Sequence, residues 1–228
     1  MTDNSYIISF DLDDTLFDNG PVIIHAFKKL YEHMVASYAG FADLFDFEQF
    51  VNLAHQSRLA NPEIVDYSLL RKIHIQKSLD ELGVSDTNPE IAYEVFINAR
   101  QEVVLFDETI AMLDSLKSHP MHLIAISNGN ADPDRIGLSG YFSHRYNPTS
   151  VGYAKPDPRM YESVCNELDI LPSQLIHIGD CLDNDVKAAQ EAGCHAIWFN
   201  RLNHDGDHAL QINNLNELKS EILKIITN

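Results

Sequence analysis

The chain of 228 residues has few cysteines and no long apolar run. Its three cysteines form no C-x-x-C pair, so the sequence indicates neither a disulfide framework nor a zinc site. The segment 204–208 contains two His and two Asp, but their spacing matches no metal site, and a surface loop is expected. The segment after Met1 has no basic region and no apolar stretch near the roughly 20 residues of a membrane span. We therefore expect a cytoplasmic protein without a membrane partner.

Basic side chains are also scarce. The chain contains 16 Lys and Arg residues against 34 Asp and Glu residues, which gives a formal net charge of −18 at pH 7. A charge of this sign repels a phosphodiester backbone, and no cluster of Lys or Arg creates a local exception. The composition therefore argues against a nucleic-acid partner.

Short apolar runs alternate with segments of helical periodicity in most of the chain. Strands are predicted at 7–10, 123–126, 175–178 and 196–199, and each is followed by polar residues. Helices are predicted at 109–118, 158–168, 186–192 and 215–226. This alternation predicts an α/β fold with a parallel sheet covered on both faces, whose ligands bind at the carboxyl ends of the strands.

Residues 21–104 interrupt this alternation with apolar side chains at helical spacing. Breakers at Gly40, at Pro62 and within 83–89 divide the segment into four predicted helices. An insertion of this size is too large for a crossover connection and suits a lid. We therefore expect an α/β core formed by residues 1–18 and 105–228, and a helical domain formed by residues 19–104.

Acidic residues follow two of the predicted strands. Asp11 and Asp13 come after the first strand, and Asp180 follows the third. Residues two apart in an extended segment project to the same side, so the carboxylates of Asp11 and Asp13 are expected to face one small volume. Such a pair is costly unless a cation or a shared proton offsets the repulsion, although Asp is also an ordinary turn and cap residue. Asp11 and Asp180 could together bind Mg²⁺, which prefers oxygen ligands.

Groups suited to phosphate follow in the sequence. Ser127, Asn128 and Gly129 offer a hydroxyl and backbone N–H groups, although Asn-Gly is also a common turn. Lys155 offers a positive point charge to a carboxylate and a phosphate, with a surface position as the ordinary alternative.

The order of these motifs resembles that of the haloacid dehalogenase superfamily of phosphohydrolases. The resemblance covers residues 6–199 and rests on Asp11-x-Asp13-x-Thr15, Ser127-Asn128, Lys155-Pro156 and Gly179-Asp180-x-x-x-x-Asp185. It implies a Rossmann-like core, and the helical insertion resembles the C1-type cap of that superfamily.

The resemblance also implies a role for each motif residue. Asp11 is the implied nucleophile, which forms an aspartyl-phosphate, and Asp13 is the implied general acid and base. The implied residues of the Mg²⁺ site are Asp11, Asp13, Asp180 and Asp185. Asp183 is the alternative to Asp185 as the second acid of its motif. The implied phosphate contacts are Thr15, Ser127, Asn128 and Lys155, of which Lys155 is also implied in catalysis.

Residues 10–19 and 127–131 most resemble the phosphatases of riboflavin biosynthesis. This implies 5-amino-6-(5-phospho-D-ribitylamino)uracil or flavin mononucleotide as the substrate, with Arg71 as a contact in the helical domain. A nucleotidase, a sugar-phosphate phosphatase and a phosphomutase are the alternatives within the superfamily. A dehalogenase is disfavoured because it needs neither the second aspartate, Asp13, nor the pair of carboxylates that binds Mg²⁺.

Outside enzymes, a phosphate-binding regulatory module is the alternative, although it needs about half this length and no helical lid. The expected partner is a small phosphorylated metabolite, and the expected assembly is a monomer or a homodimer.

Overall fold

The strands that the structure describes form one parallel sheet. A computed structural model describes residues 6–84, 86–118, 121–206 and 210–227. The strands are β1 (Ile7–Phe10), β2 (His122–Ile126), β3 (His144–Tyr146), β4 (Leu175–Gly179), β5 (His195–Phe199) and β6 (Gln211–Ile212). Their order is β3-β2-β1-β4-β5-β6, and every neighbouring pair is parallel. Their carboxyl ends therefore lie at one edge of the sheet.

Helices account for most of the other residues that the structure describes. The α-helices are α1 (Asn19–Ser37), α2 (Phe41–Leu44), α3 (Phe47–Leu59), α4 (Tyr67–Leu82), α5 (Glu90–Ala99), α6 (Thr109–Lys117), α7 (Pro148–Val151), α8 (Arg159–Glu167), α9 (Ala188–Glu191) and α10 (Leu218–Thr227). A π-helical turn, Leu182–Lys187, leads directly into α9, and 3₁₀ turns lie at Pro172–Gln174 and Leu215–Glu217. Within the described ranges, none of the helices has the length and apolar character needed to cross a membrane.

The chain divides into two compact units. The α/β unit comprises the described parts of Met1–Asp18, Val104–Gly129 and Pro133–Asn228, and the helical unit comprises those of Asn19–Val103 with Asn130–Asp132. The side chain of Gln101 explains why the last three residues belong to the helical unit. Its Nε2 donates to the carbonyl of Asn130 at 3.1 Å, and its Oε1 accepts the N–H of Asp132 at 2.7 Å.

The centre of the sheet is buried on both faces. All four residues of β1 and all five residues of β4 are buried, as expected for central strands of a parallel sheet. Both strands are predominantly apolar, yet each contains one polar side chain, Ser9 in β1 and His177 in β4.

The helical unit is built around aromatic side chains from α1 to α5. Its buried aromatic side chains include Phe27, Phe41, Phe45, Phe50, Tyr93 and Phe96. Local signals fix the helix ends: Asp46 and Gln49 form a reciprocal capping box at the start of α3. Gly83 ends α4 in the left-handed region with φ 83°, a conformation that glycine adopts without steric cost.

The predicted α/β class is confirmed. The predicted and observed elements differ where the apolar pattern of the sequence is weak. Strands β3 and β6 were not predicted, because β3 is exposed at two of its three residues and β6 has only two. The predicted helix 186–192 is confirmed as α9, but the helical segment begins earlier, with the π-helical turn Leu182–Lys187. The short helix α2 adds to the four predicted helices of the insertion. In the predicted loop 204–208, Asp207 and His208 lie outside the described residues.

Replacing Leu30 with alanine tests the core of the helical unit. Leu30 is fully buried in α1, so the substitution should lower the free energy of unfolding by about 2–5 kcal/mol. Leu59→Ala is the matched control, because Leu59 is 66% exposed and its removal should cost at most about 0.5 kcal/mol. Urea denaturation followed by circular dichroism measures both, and equal losses would contradict the packing described.

Candidate active site

The segment after β1 places Asp11 at the carboxyl edge of the sheet. The N–H of Asp11 donates to the carbonyl of Ile178 at 2.8 Å, which extends the pairing of β1 with β4 by one residue. Asp11 is only 6% exposed. Its carboxylate is therefore held by the central strands rather than by a free loop.

Lys155 connects two of the buried carboxylates. Its Nζ donates to Oδ1 of Asp11 at 2.6 Å, to Oδ1 of Asp185 at 2.6 Å and to the carbonyl of Ile126 at 3.1 Å. An ammonium has three N–H donors, so each of them has an acceptor. Burial lowers the pKa of Lys155, but Asp11 and Asp185 outweigh it, and the pKa is raised overall. Lys155 is therefore a fixed positive charge in this cluster.

Asp185 receives hydrogen bonds from several directions. Besides Lys155, the N–H of Cys181 donates to its Oδ2 at 3.0 Å, and Nε2 of His177 lies 3.2 Å from its Oδ1. Burial raises the pKa of Asp185, but Lys155 and His177 lower it by more, so the carboxylate is ionised. A Cβ at Gly179 would lie 2.2 Å from the carboxyl carbon of Asp185, so only glycine fits at the end of β4.

Asp180 belongs to the same cluster, but neighbouring groups offset its negative charge less than they offset that of Asp185. Its Oδ1 accepts from Oγ1 of Thr15 at 3.4 Å, and its backbone carbonyl accepts from Nε1 of Trp198 at 2.7 Å. Burial, then the charges of Asp185 and Asp14, raise the pKa of Asp180 to about 7. Asp180 therefore carries a charge that its surroundings disfavour.

The carboxylates form a group suited to a divalent cation. One ligand oxygen each from Asp11, Asp180 and Asp185 lies within 4.8 Å of the others. Burial raises the pKa of Asp11; Lys155 counteracts this, but Asp185 and Asp13 add to it. Oxygen donors in excess of the nearby positive charge suit a hard divalent ion. Because Asp185 is already bonded by three donors, Asp11 and Asp180 are the better ligands of the three.

Asp13 and Ser127 meet around Gly129. A Cβ at Gly129 would lie 2.2 Å from Oδ2 of Asp13 and 3.4 Å from Oγ of Ser127. Oγ of Ser127 also accepts the N–H of Gly129 at 3.1 Å. The missing side chain of Gly129 thus lets the Asp13 carboxylate approach the loop after β2.

The side chain of Asn128 binds the backbone of Lys155. Its Nδ2 donates to the carbonyl of Lys155 at 2.7 Å, and its Oδ1 accepts the N–H of Lys155 at 3.0 Å. Both polar atoms of this side chain thus hold the backbone of Lys155. The side chain therefore positions Lys155, and the phosphate contact of Asn128 through its backbone N–H stays a prediction.

The two candidates for the second acid of the motif occupy different environments. Asp185 is buried in the cluster, whereas the Asp183 side chain is 73% exposed and pairs with Lys187 at 2.6 Å. This placement favours Asp185 over Asp183 as the acid of the site.

Arg71 belongs to the helical unit, in α4. Its guanidinium lies over the rings of Phe27 and Phe96, at 4.0 and 4.4 Å from the ring centres, and one terminal nitrogen lies 3.3 Å from Nδ1 of His74. Burial lowers the pKa of Arg71 to about 10. In the described part of the chain its buried Nε has no hydrogen-bond partner. Arg71 therefore has donor capacity that the described residues of its own unit do not use.

Two buried polar residues next to the cluster were missed from the sequence. Oγ of Ser9 lies 2.8 Å from Nδ1 of His177, whose other ring nitrogen faces Asp185. The available signal was a single polar residue inside each of two otherwise apolar strands, IISF and LIHIG. Such residues need hydrogen-bond partners when they are buried.

Comparison with known proteins identifies relatives of this chain. A family model described as haloacid dehalogenase-like hydrolase matches residues 7–193. The 5-amino-6-(5-phospho-D-ribitylamino)uracil phosphatase YigB of Escherichia coli (strain K12) is 32% identical over 202 residues, which cover 87% of this chain and 84% of that protein. A phosphoserine phosphatase of Thermus thermophilus is 28% identical over 131 residues, which cover 55% of this chain and 53% of that protein.

A solved structure shares the whole architecture. The crystal structure described as 2-haloacid dehalogenase from Pseudomonas syringae pv. Tomato DC3000 has a TM-score of 0.85 and 28% identity, covering 96% of this chain and 99% of that chain. The resemblance seen in the motifs is thus confirmed by sequence and by fold. The chain belongs to the haloacid dehalogenase-like hydrolase family.

Proposed function

We propose that the protein is a Mg²⁺-dependent phosphatase that hydrolyses a small phosphomonoester through an aspartyl-phosphate at Asp11. The observation that carries the proposal is the group of Asp11, Asp180 and Asp185, with ligand oxygens within 4.8 Å, beside a single ammonium from Lys155. The phosphatases among the relatives support the same activity.

Asp11 and Asp13 divide the chemistry between them. Burial raises the pKa of Asp11, but the ammonium of Lys155 favours its ionised form, which needs no separate base to act as a nucleophile. One oxygen of Asp11 forms a bond to phosphorus while the bond to the leaving oxygen breaks, and Asp13 gives that oxygen a proton. Asp13 then takes a proton from water, which attacks phosphorus, releases inorganic phosphate and frees Asp11. Lys155, Ser127 and Thr15 are proposed to bind phosphoryl oxygens.

Asp11 and Asp180 are the proposed carboxylate ligands of Mg²⁺. When bound, the ion neutralises negative charge on the phosphoryl group. Asp185 supplies charge to the same cluster and orients Lys155 through the bond at 2.6 Å. For Asp13, which the family resemblance also places at the Mg²⁺ site, the proposed ligand is the backbone carbonyl.

The dehalogenase-like structural relative favours a second candidate function, hydrolysis of a carbon–halogen bond. Such an enzyme also uses a carboxylate nucleophile, but it needs no acid at Asp13 and no cation at Asp180. Both of these residues are present here, and the phosphatase is therefore the preferred proposal.

Asparagine substitutions at Asp11 and Asp13 test the reaction. With p-nitrophenyl phosphate and Mg²⁺, Asp11→Asn should abolish turnover, and Asp13→Asn should lower kcat about 10²–10⁴-fold through loss of proton transfer. Asp183→Asn is the matched control, because this exposed side chain forms an ion pair with Lys187 outside the cluster, and the substitution should leave kcat unchanged.

Several outcomes would contradict this proposal. Full turnover by Asp11→Asn would exclude Asp11 as the nucleophile. Chloride release from 2-chloropropionate without metal would favour the dehalogenase. Transfer of the phosphoryl group within the substrate would indicate a phosphomutase, and no turnover at all would favour a phosphate-binding regulatory module.

Thermal unfolding tests the metal site without measuring activity. The folded-state pKa of Asp180 is about 7, above its usual 3.8, so ionising this group opposes folding progressively up to about pH 7. Mg²⁺ should offset this cost where Asp180 is ionised. We expect Mg²⁺ to raise Tm, relative to EDTA, by more at about pH 8 than at about pH 5.5. Asp180→Asn should reduce the rise, and an equal rise at both pH values would contradict the assignment.

The proposed substrate is 5-amino-6-(5-phospho-D-ribitylamino)uracil or flavin mononucleotide. The proposal is supported by the 32% identity to the E. coli phosphatase of that name. We propose that the helical unit acts as the specificity-determining cap and that Arg71 contacts the substrate. The cytoplasmic location and the monomeric or homodimeric state remain predictions from the sequence.

A panel of phosphomonoesters tests this substrate. The kcat/KM for one of the two proposed compounds should exceed that for sugar phosphates and nucleoside monophosphates by at least about tenfold, the equivalent of one favourable polar contact. Arg71→Met should lower this kcat/KM by about 10- to 100-fold, the loss expected for a charged hydrogen bond. Arg58→Met is the control, because exposed Arg58 also stacks on a ring, that of Tyr67 at 5.0 Å. Equal rates on all substrates would contradict the assignment.

A further inference from the structure

We infer that His177 is a positioning residue for the reaction, which holds Asp185 and through it the Lys155–Asp11 pair. The inference rests on the proposed function, because it assigns His177 to the same site. His177 lies two residues before the Gly179-Asp180 motif and is not part of it.

His177 and Ser9 form a polar pair inside the sheet. They are register partners in β4 and β1, and both are fully buried. Asp11 lies two positions beyond Ser9 and projects to the same face of the extended chain. Buried polar side chains cost free energy unless they are hydrogen-bonded. Ser9 and His177 therefore need hydrogen-bond partners, and these partners lie along this face.

The direction of the bond to Asp185 follows from the chemistry of its two ends. Nε2 of His177 lies 3.2 Å from Oδ1 of Asp185, and an ionised carboxylate can only accept a hydrogen bond. Nε2 therefore carries the proton in this contact. Oγ of Ser9, 2.8 Å from Nδ1, fixes the other side of the ring. Together these contacts set the orientation of the imidazole.

The same oxygen of Asp185 leads to the nucleophile. Oδ1 of Asp185 accepts from Nζ of Lys155 at 2.6 Å, and that Nζ also donates to Oδ1 of Asp11 at 2.6 Å. Three consecutive hydrogen bonds thus join His177 to Asp11. Small displacements of a reacting group cost rate, so a shift of Asp185 should be felt at Asp11.

The ring of His177 also has a packing role. It packs edge-on against Tyr161, with ring centres 4.9 Å apart. Any substitution removes this contact, so loss of activity alone does not identify a positioning role. Two variants separate the effects: His177→Leu removes both the ring and the donor, whereas His177→Gln removes the ring but retains an N–H donor.

The experiment compares kcat and KM of these variants with p-nitrophenyl phosphate and Mg²⁺. We expect His177→Leu to lower kcat about 10- to 100-fold, the range typical of groups that orient active-site ligands, with KM almost unchanged. His177→Gln should retain most of the wild-type kcat, although its Tm should fall as much as that of His177→Leu. His195→Leu is the control on the adjacent strand β5, because its ring contacts Tyr6 rather than the cluster, and it should retain wild-type kcat.

The outcomes separate this inference from the proposed function. Equal loss of kcat in both His177 variants, or wild-type kcat in His177→Leu, would overturn the positioning role while the phosphatase stands. A wild-type protein without turnover would overturn the proposed function. The ¹⁵N spectrum of His177 is independent of turnover: a proton on Nε2 supports the inference, and a bare Nε2 overturns it.

Discussion

The ammonium of Lys155 between the carboxylates of Asp11 and Asp185 is the interaction on which the rest of the site depends. Taking these three charges out of water is costly, and the cost is offset only if the contacts are short and the remaining donors and acceptors are satisfied. Neighbouring groups meet this condition: Asn128 holds the lysine backbone at both polar atoms, and Gly179 leaves room for the Asp185 side chain. Asn128 and Gly179 thus both support this buried arrangement of charges.

The parallel sheet explains how distant residues reach that arrangement. Asp11 follows β1, Ser127 follows β2 and Asp180 follows β4, and all three strand ends lie at one edge. Lys155 and Asp185 come from irregular and π-helical segments that the strands do not fix by themselves. π-Helical turns are rare and occur often at functional sites, and this one carries Asp185. The strand ends thus place Asp11 and Asp180, and the irregular and π-helical segments place Lys155 and Asp185.

The sequence predicted what depends on local pattern or motif order. Apolar runs located β1, β2, β4 and β5, and the order of motifs led to Asp11, Lys155 and Asp180. It did not predict β3 and β6, because an exposed or two-residue edge strand carries no apolar run. The partners of Asn128 and Ser9 were also missed, because hydrogen bonds across 27 and 168 residues depend on the folded chain rather than on nearby residues.

The three hydrogen bonds of Lys155 Nζ have a consequence for ligand entry. Because Asp11, Asp185 and the Ile126 carbonyl already accept its three donors, a phosphoryl oxygen can bind this ammonium only by replacing one of them. When an anion binds, one acceptor of the ammonium is exchanged for another and no hydrogen bond is added. The net gain in free energy is then the difference between the new hydrogen bond and the one that it replaces. The carbonyl of Ile126, at 3.1 Å and without a formal charge, is the acceptor that such an exchange releases at least cost.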